Sequence, residues 1–201
     1  MFNAALIFAV LFLLVGPIRL IVPYAKLVAG FDATFKWKIA LVAAGIAAAI
    51  CIFVALVGEG LLEKYDIAFE SVRVAGGLLL TVSALKNLVF PEGSPAPSLE
   101  RRSVFETGLT VATPVIVSPV GIAAILVFSM AASDAVASRE TVLYPLLGLM
   151  AANLIVMLLI DFIMKIPGLK SVLYLIAAVL SLVQVALGVD AMMEGLGIIA
   201  S

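Results

Sequence analysis

Six stretches without a charged side chain divide this sequence: Met1–Ile18, Ile39–Gly58, Val74–Leu85, Thr107–Ser133, Thr141–Ile160 and Ser171–Val189. They run for 18, 20, 12, 27, 20 and 19 residues. A helix needs about 20 mostly apolar residues to cross a hydrocarbon core about 30 Å thick. Four runs meet that length or fall one residue short of it. The first reaches it by continuing through Arg19 to Tyr24, and the third by taking in Arg73 or Lys86. The runs are continuously apolar rather than alternating, which argues against a transmembrane barrel. With 65% hydrophobic and 12% charged residues among 201, no globule could bury the apolar surface. The expectation is an all-α integral membrane protein of six transmembrane helices, partnered by the lipid bilayer.

The same residues exclude much chemistry. The chain has no histidine, which removes Ser-His and Cys-His catalysis, HExxH zinc sites and histidine proton relays. Its single cysteine, Cys51, excludes an internal disulfide and any multi-thiolate metal site, and reads as a small buried hydrophobe. Twelve basic against 13 acidic residues give no signal for nucleic acid. No G-x-x-x-x-G-K-[ST] pattern is present, so ATP would not drive it. An aspartyl dyad would need two facing carboxylates within the membrane, whereas Asp161 and Asp190 end their runs. The sequence therefore points away from an enzyme, and no cofactor or metal is expected. Met1-Phe2-Asn3-Ala4 carries no charge and no small-residue cleavage site follows, so the first run reads as a retained helix rather than a signal peptide.

Loop charges set the orientation. Lys26, Lys36, Lys38, Lys86, Arg101, Arg102, Lys165 and Lys170 lie after helices one, three and five, against Lys64 and Arg139 on the other side. By the positive-inside bias both termini face away from the cytoplasm. A Pro-rich cytoplasmic linker, 91–103, then separates residues 1–90 from 104–201, three helices each, within one membrane domain.

The halves look alike. Helix one contains Gly16-Pro17-Ile18-Arg19-Leu20-Ile21-Val22-Pro23, and helix four contains Thr113-Pro114-Val115-Ile116-Val117-Ser118-Pro119. Ser71-Val72 and Ser171-Val172 open helices three and six, and the same alignment sets Thr81 opposite Ser181. Three helices is an odd number, so the second copy must enter from the opposite side, giving two inverted repeats. Proline removes a backbone donor and disturbs the turn before it. In hydrocarbon such a break survives only against protein or a water-filled cavity. Interrupted helices one and four, with half-helices restarting at Pro17 and Pro114, would aim free N–H groups into that cavity. A simple kink at each proline is the competing reading.

Charges inside the spans add candidates. Arg73 faces either a cavity or the interface, with Glu70 three residues away as its nearest counter-ion. Arg19 lies two residues past Pro17, where it could bind a carboxylate or phosphate, or pair structurally with Asp161 or Glu70. Gly76 and Gly77 favour close helix packing over ligand contact. Thr110, Thr113 and Ser118 could donate to a solute or satisfy broken backbone, and Asn153 and Gln184 read as amides bridging helices.

The chain resembles the MarC family of six-helix bacterial and archaeal membrane proteins, in the wider LysE-like exporter group. The likeness rests on Gly16-Pro17-Ile18 with Pro23, on Ala68–Leu80 around Glu70, Arg73, Gly76 and Gly77, on Thr113–Ala123 with Pro114, Ser118, Pro119 and Gly121, and on Val189–Leu196. The family pattern usually opens Asn-Pro-x-Gly with prolines five apart, whereas this chain has Gly16, Arg19 and a spacing of six. The resemblance implies a bacterial or archaeal plasma (inner) membrane protein that carries small neutral amino acids. The function expected is a secondary transporter or exporter of a small polar solute, working by alternating access around a midplane site. That site would be made by Gly16, Pro17, Arg19, Pro23, Glu70, Arg73, Gly76, Gly77, Thr113, Pro114, Ser118, Pro119 and Gly121. A coupling ion, proton or sodium, and a homo-oligomer are compatible with this reading. An anionic or lipid-phosphate solute, a channel and a non-transporting assembly protein stand as alternatives.

Overall fold

The computed structural model describes residues 4–89, 103–134 and 140–198. Regular structure among them is helical throughout. In order come α1 (Ala4–Val15), α2 (Pro17–Leu27), α3 (Ala33–Lys64), α4 (Phe69–Val89) and α5 (Val104–Val111). A π-helical turn (Ala112–Ile116) is followed by α6 (Pro119–Asp134), α7 (Glu140–Leu158), the short α8 (Ile160–Ile163) and α9 (Leu169–Gly195). Five segments among the described residues are long and apolar enough to cross a bilayer: Ile7–Leu27, α3, α4, α7 and Ser171–Gly195. The predicted fourth run is not one continuous helix, because it is divided between α5, the π-turn and α6. Its apolar part, Pro119–Met130, is shorter than a span. The linker 91–103 lies outside the described residues except for Ser103, and so do Arg101, Arg102 and Arg139.

Local chemistry explains the boundaries. The Asp32 carboxylate accepts the Phe35 N–H at 3.2 Å and starts α3 ahead of Lys36 and Lys38. As a result α3 runs for 32 residues, well past its uncharged stretch. Ser103 and Glu106 form a reciprocal capping box at the start of α5. The 21-residue α4 takes in both Arg73 and Lys86, so the third run reaches span length at both ends.

The most extensive contact joins α4 and α9, which run antiparallel with backbone nearly touching backbone. A Cβ on Gly77 would lie 2.4 Å from the Gly188 carbonyl oxygen, and one on Gly188 would lie 2.7 Å from that of Gly77. Helices in lipid gain little from burying apolar surface, so small residues that allow close approach drive their association. Along α3 the same logic buries Ala40, Ala43, Ala44, Ala47, Cys51 and Ala55 as one stripe. Leu11, Leu20, Ile39, Leu146 and Leu149 fill the centre. Phe53, Leu175 and Leu182 point outward, each more than 60% exposed, as lipid-facing side chains should.

Candidate functional site

The first break lies between α1 and α2. Gly16 is extended (φ −74, ψ 166) and Pro17 restarts the helix at its first position. There its missing N–H costs nothing and its fixed φ suits the helix. A Cβ on Gly16 would fall 1.9 Å from the Phe12 carbonyl oxygen, so only glycine fits the bend. Unwinding frees the Val15 carbonyl, and Asn153 of α7 supplies the donor, with Nδ2 2.8 Å away. That bond fixes the amide orientation and leaves Asn153 Oδ1 buried with no protein donor among the described residues.

The second break lies in the fourth run. Val117 N–H reaches back five residues to the Ala112 carbonyl at 2.8 Å, closing the π-turn around Pro114. A wider turn absorbs the donor that Pro114 lacks. Thr113 and Thr110 donate their hydroxyls to the carbonyls of Leu109 and Glu106, at 2.8 and 2.9 Å. Helix α6 then starts at Pro119, and Ser118 Oγ accepts the Gly121 N–H at 3.1 Å. Pro114 therefore does not restart a half-helix as expected; Pro119 does, because Ser118 stands ahead of it as a cap. Pro23 interrupts nothing. It stands exposed inside α2, where it leaves the Arg19 carbonyl without its usual helical donor.

The two breaks meet. A Cβ on Gly121 would lie 2.7 Å from Val15 Cγ2, so the first turn of α6 packs directly on the end of α1. The start of α2 is uncapped by any side chain. Its first N–H groups thus lack the acceptor that Ser118 provides in α6.

Arg19, in that same first turn, points toward α9 and pairs with neither Asp161 nor Glu70. Its Nη1 donates to Gln184 Oε1 at 2.9 Å, and Gln184 Nε2 donates onward to the Leu80 carbonyl at 3.3 Å. Inserting an arginine at the centre of a membrane helix costs about 2.5–3.5 kcal/mol, so its surroundings are informative. Glu70 is not the counter-ion of Arg73. Arg73 pairs with Glu194 at 2.5 Å and lies over the Phe69 ring, 4.9 Å from its centroid, while Glu70 is exposed. This pair joins the start of α4 to the end of α9, away from the breaks. Lys36 and Asp161 pair at 2.6 Å near the opposite end of the bundle.

Of the residues expected from sequence, Gly16, Pro17, Ser118, Pro119 and Gly121 converge at the breaks, with Arg19 beside them. Gly76 and Gly77 are committed to helix contact, against Val127 and Gly188. Thr113 is exposed with its hydroxyl already bonded. Asn153 and Gln184 bridge helices as expected, but their particular partners, the first break and Arg19, were not legible in the sequence. Their one signal was a strong amide in an otherwise apolar run.

A multi-span helical membrane protein with two interrupted helices in contact is the class this geometry defines. Residues 2–200 match the family described as MarC family integral membrane protein, and the chain belongs to that family. No curated protein and no solved structure matches it.

Proposed function

We propose that the chain is a secondary transporter of a small polar solute, with six crossings arranged as two inverted three-helix repeats. The solute binds near the membrane midplane where the two breaks meet, and the repeats move about it in alternating access. The observation that carries this reading is the contact of Val15 with Gly121, which sets the two interruptions against each other. Interrupted backbone in a membrane is tolerated where protein or a water-filled cavity satisfies it. Here the uncapped start of α2 offers donors, and Asn153 Oδ1 offers an acceptor. Those are the two kinds of group that a carboxylate-bearing polar solute requires, and small neutral amino acids are the first solutes to try. Both termini lie outside the cytoplasm of a bacterial or archaeal plasma membrane. Any coupling to protons would have to use a carboxylate such as Glu70 or Asp161, since the sequence has no histidine, whereas sodium could be held by the carbonyls that the breaks free.

The test is counterflow in proteoliposomes preloaded with unlabelled glycine and alanine, with labelled solute outside. Protein-dependent accumulation that is lost in Gly16→Leu, which closes the first bend, is the expected result. Correctly inserted protein that gives no accumulation with any small carboxylate-bearing solute would overturn the reading.

A further inference from the structure

Arg19 is a cation near the membrane midplane with no anion paired to it among the described residues. Its depth follows from its partners. Leu80 lies eleven residues from the start of α4 and nine from its end, and Gln184 lies thirteen residues from Ser171 and eleven from Gly195. At 1.5 Å per residue both positions are roughly 14–20 Å from either end of their spans. The side chain does not snorkel, because Gln184 holds it inward. Gln184 is itself fixed, since its Nε2 bonds the Leu80 carbonyl and turns Oε1 toward the guanidinium.

A neutral amide does not compensate a charge. A guanidinium carries five N–H donors, and among the described residues only one of Arg19's has an acceptor. The ion pairs among the described residues use other cations, Lys36 and Arg73. Arg19 is only half-buried, so the protein leaves part of its surface uncovered. It also occupies the third position of α2, so its own backbone N–H is one of the donors that the uncapped helix start leaves over.

We propose that Arg19 binds the oxyanion of the transported solute, a carboxylate or phosphate, and that the site prefers a solute with one net negative charge to a zwitterion. Gln184 positions the guanidinium, and the planar fork meets two oxygens of the anion at once. A monoanion neutralises the site, whereas a zwitterion leaves it with the full charge of Arg19 and only neutral acceptors for its ammonium. This inference rests on the transporter reading above and names the solute class of the same site.

The test uses the same proteoliposomes with a panel of labelled glycine, alanine, lactate, pyruvate and inorganic phosphate. Wild-type protein should exchange lactate, pyruvate or phosphate at least tenfold faster than glycine or alanine. Whichever anion leads tells a carboxylate from a phosphate ligand. Arg19→Gln should lose that exchange by at least tenfold, and Arg19→Lys should retain part of it. Gln184→Glu guards against a folding failure, because it adds a carboxylate beside Arg19, keeps the acceptor that holds the guanidinium, and gives up only the 3.3 Å bond to the Leu80 carbonyl. It should elute as a monodisperse peak and still lose anion exchange tenfold through internal competition. Wild-type exchange of zwitterions alone, or full anion exchange in both Arg19→Gln and Gln184→Glu, would overturn this inference and leave the transporter reading standing. No exchange of any solute by inserted wild-type protein would overturn both.

Discussion

Replacing Gly77 by alanine tests whether that glycine serves helix contact. The added carbon would sit 2.4 Å from the Gly188 carbonyl oxygen and 3.0 Å from the Met192 amide nitrogen. Both are backbone atoms and cannot rotate aside. Ordinary contact begins at 3.4 Å, so α4 and α9 must part by about 1 Å here. A gap of that size forfeits a quarter to a half of the local dispersion attraction, and overpacking of this kind costs about 1–3 kcal/mol. Alanine also gains about 0.5–1 kcal/mol over glycine within a helix, which opposes the effect. Gly148→Ala on α7 gains the same propensity and meets nothing within 4 Å, so the difference between the two variants isolates the contact. At about 2–4 °C per kcal/mol for a chain of this size, Gly77→Ala should melt roughly 2–12 °C below Gly148→Ala. The chain supplies its own reporter: Cys51 is its single cysteine and only 1% exposed, so a thiol-reactive fluorogenic dye lights up on unfolding. Equal melting of the two variants would refute the close approach of α4 and α9.

Further outcomes follow from the same geometry. Asn153→Leu leaves the Val15 carbonyl without its donor and should cost about 1–2 kcal/mol, read as a lower melting temperature in the thiol assay. Ser118→Ala removes the cap of α6 and should cost about 1 kcal/mol by the same assay, with no loss if Gly121 N–H finds another acceptor. A double-mutant cycle on Arg73→Gln and Glu194→Gln should give a coupling of about 1–2 kcal/mol, and strictly additive losses would show that the pair contributes nothing. Lys36–Asp161 is different, because the Asp161 side chain is 57% exposed. Asp161→Asn should cost under about 1 kcal/mol, and less still in molar salt.

How much of this was legible depends on the range of the forces involved. The break at Pro17 could be read because glycine followed by proline in an apolar run leaves the backbone few choices. The second break was misplaced by one proline. A run holding both Pro114 and Pro119 does not say which one a π-turn absorbs, although Ser118 before Pro119 is a local start signal. The close packing of Gly77 was anticipated, but its partner Gly188 lies 111 residues away and no local pattern links them. Arg73 shows the same limit: Glu70 was its nearest acid in sequence, yet tertiary packing brought Glu194 to it. Arg19 was recognised as unusual from its place beside Pro17. Its neutral partner, which gives that charge its meaning, was set by the α4–α9 register.

The length of α3 has a consequence for the bilayer this protein prefers. Trp37 and Tyr65 stand near its two ends, 56% and 68% exposed, and 28 residues separate them. At 1.5 Å per residue that is about 42 Å, the thickness of a bilayer measured through its headgroups rather than its hydrocarbon alone. Amphipathic rings settle at the membrane–water boundary, so this one helix works as a calliper held between the two leaflets. Thinner membranes favour its tilting and thicker ones draw its charged ends inward, so lipid chain length acts on this helix through the two rings that anchor it.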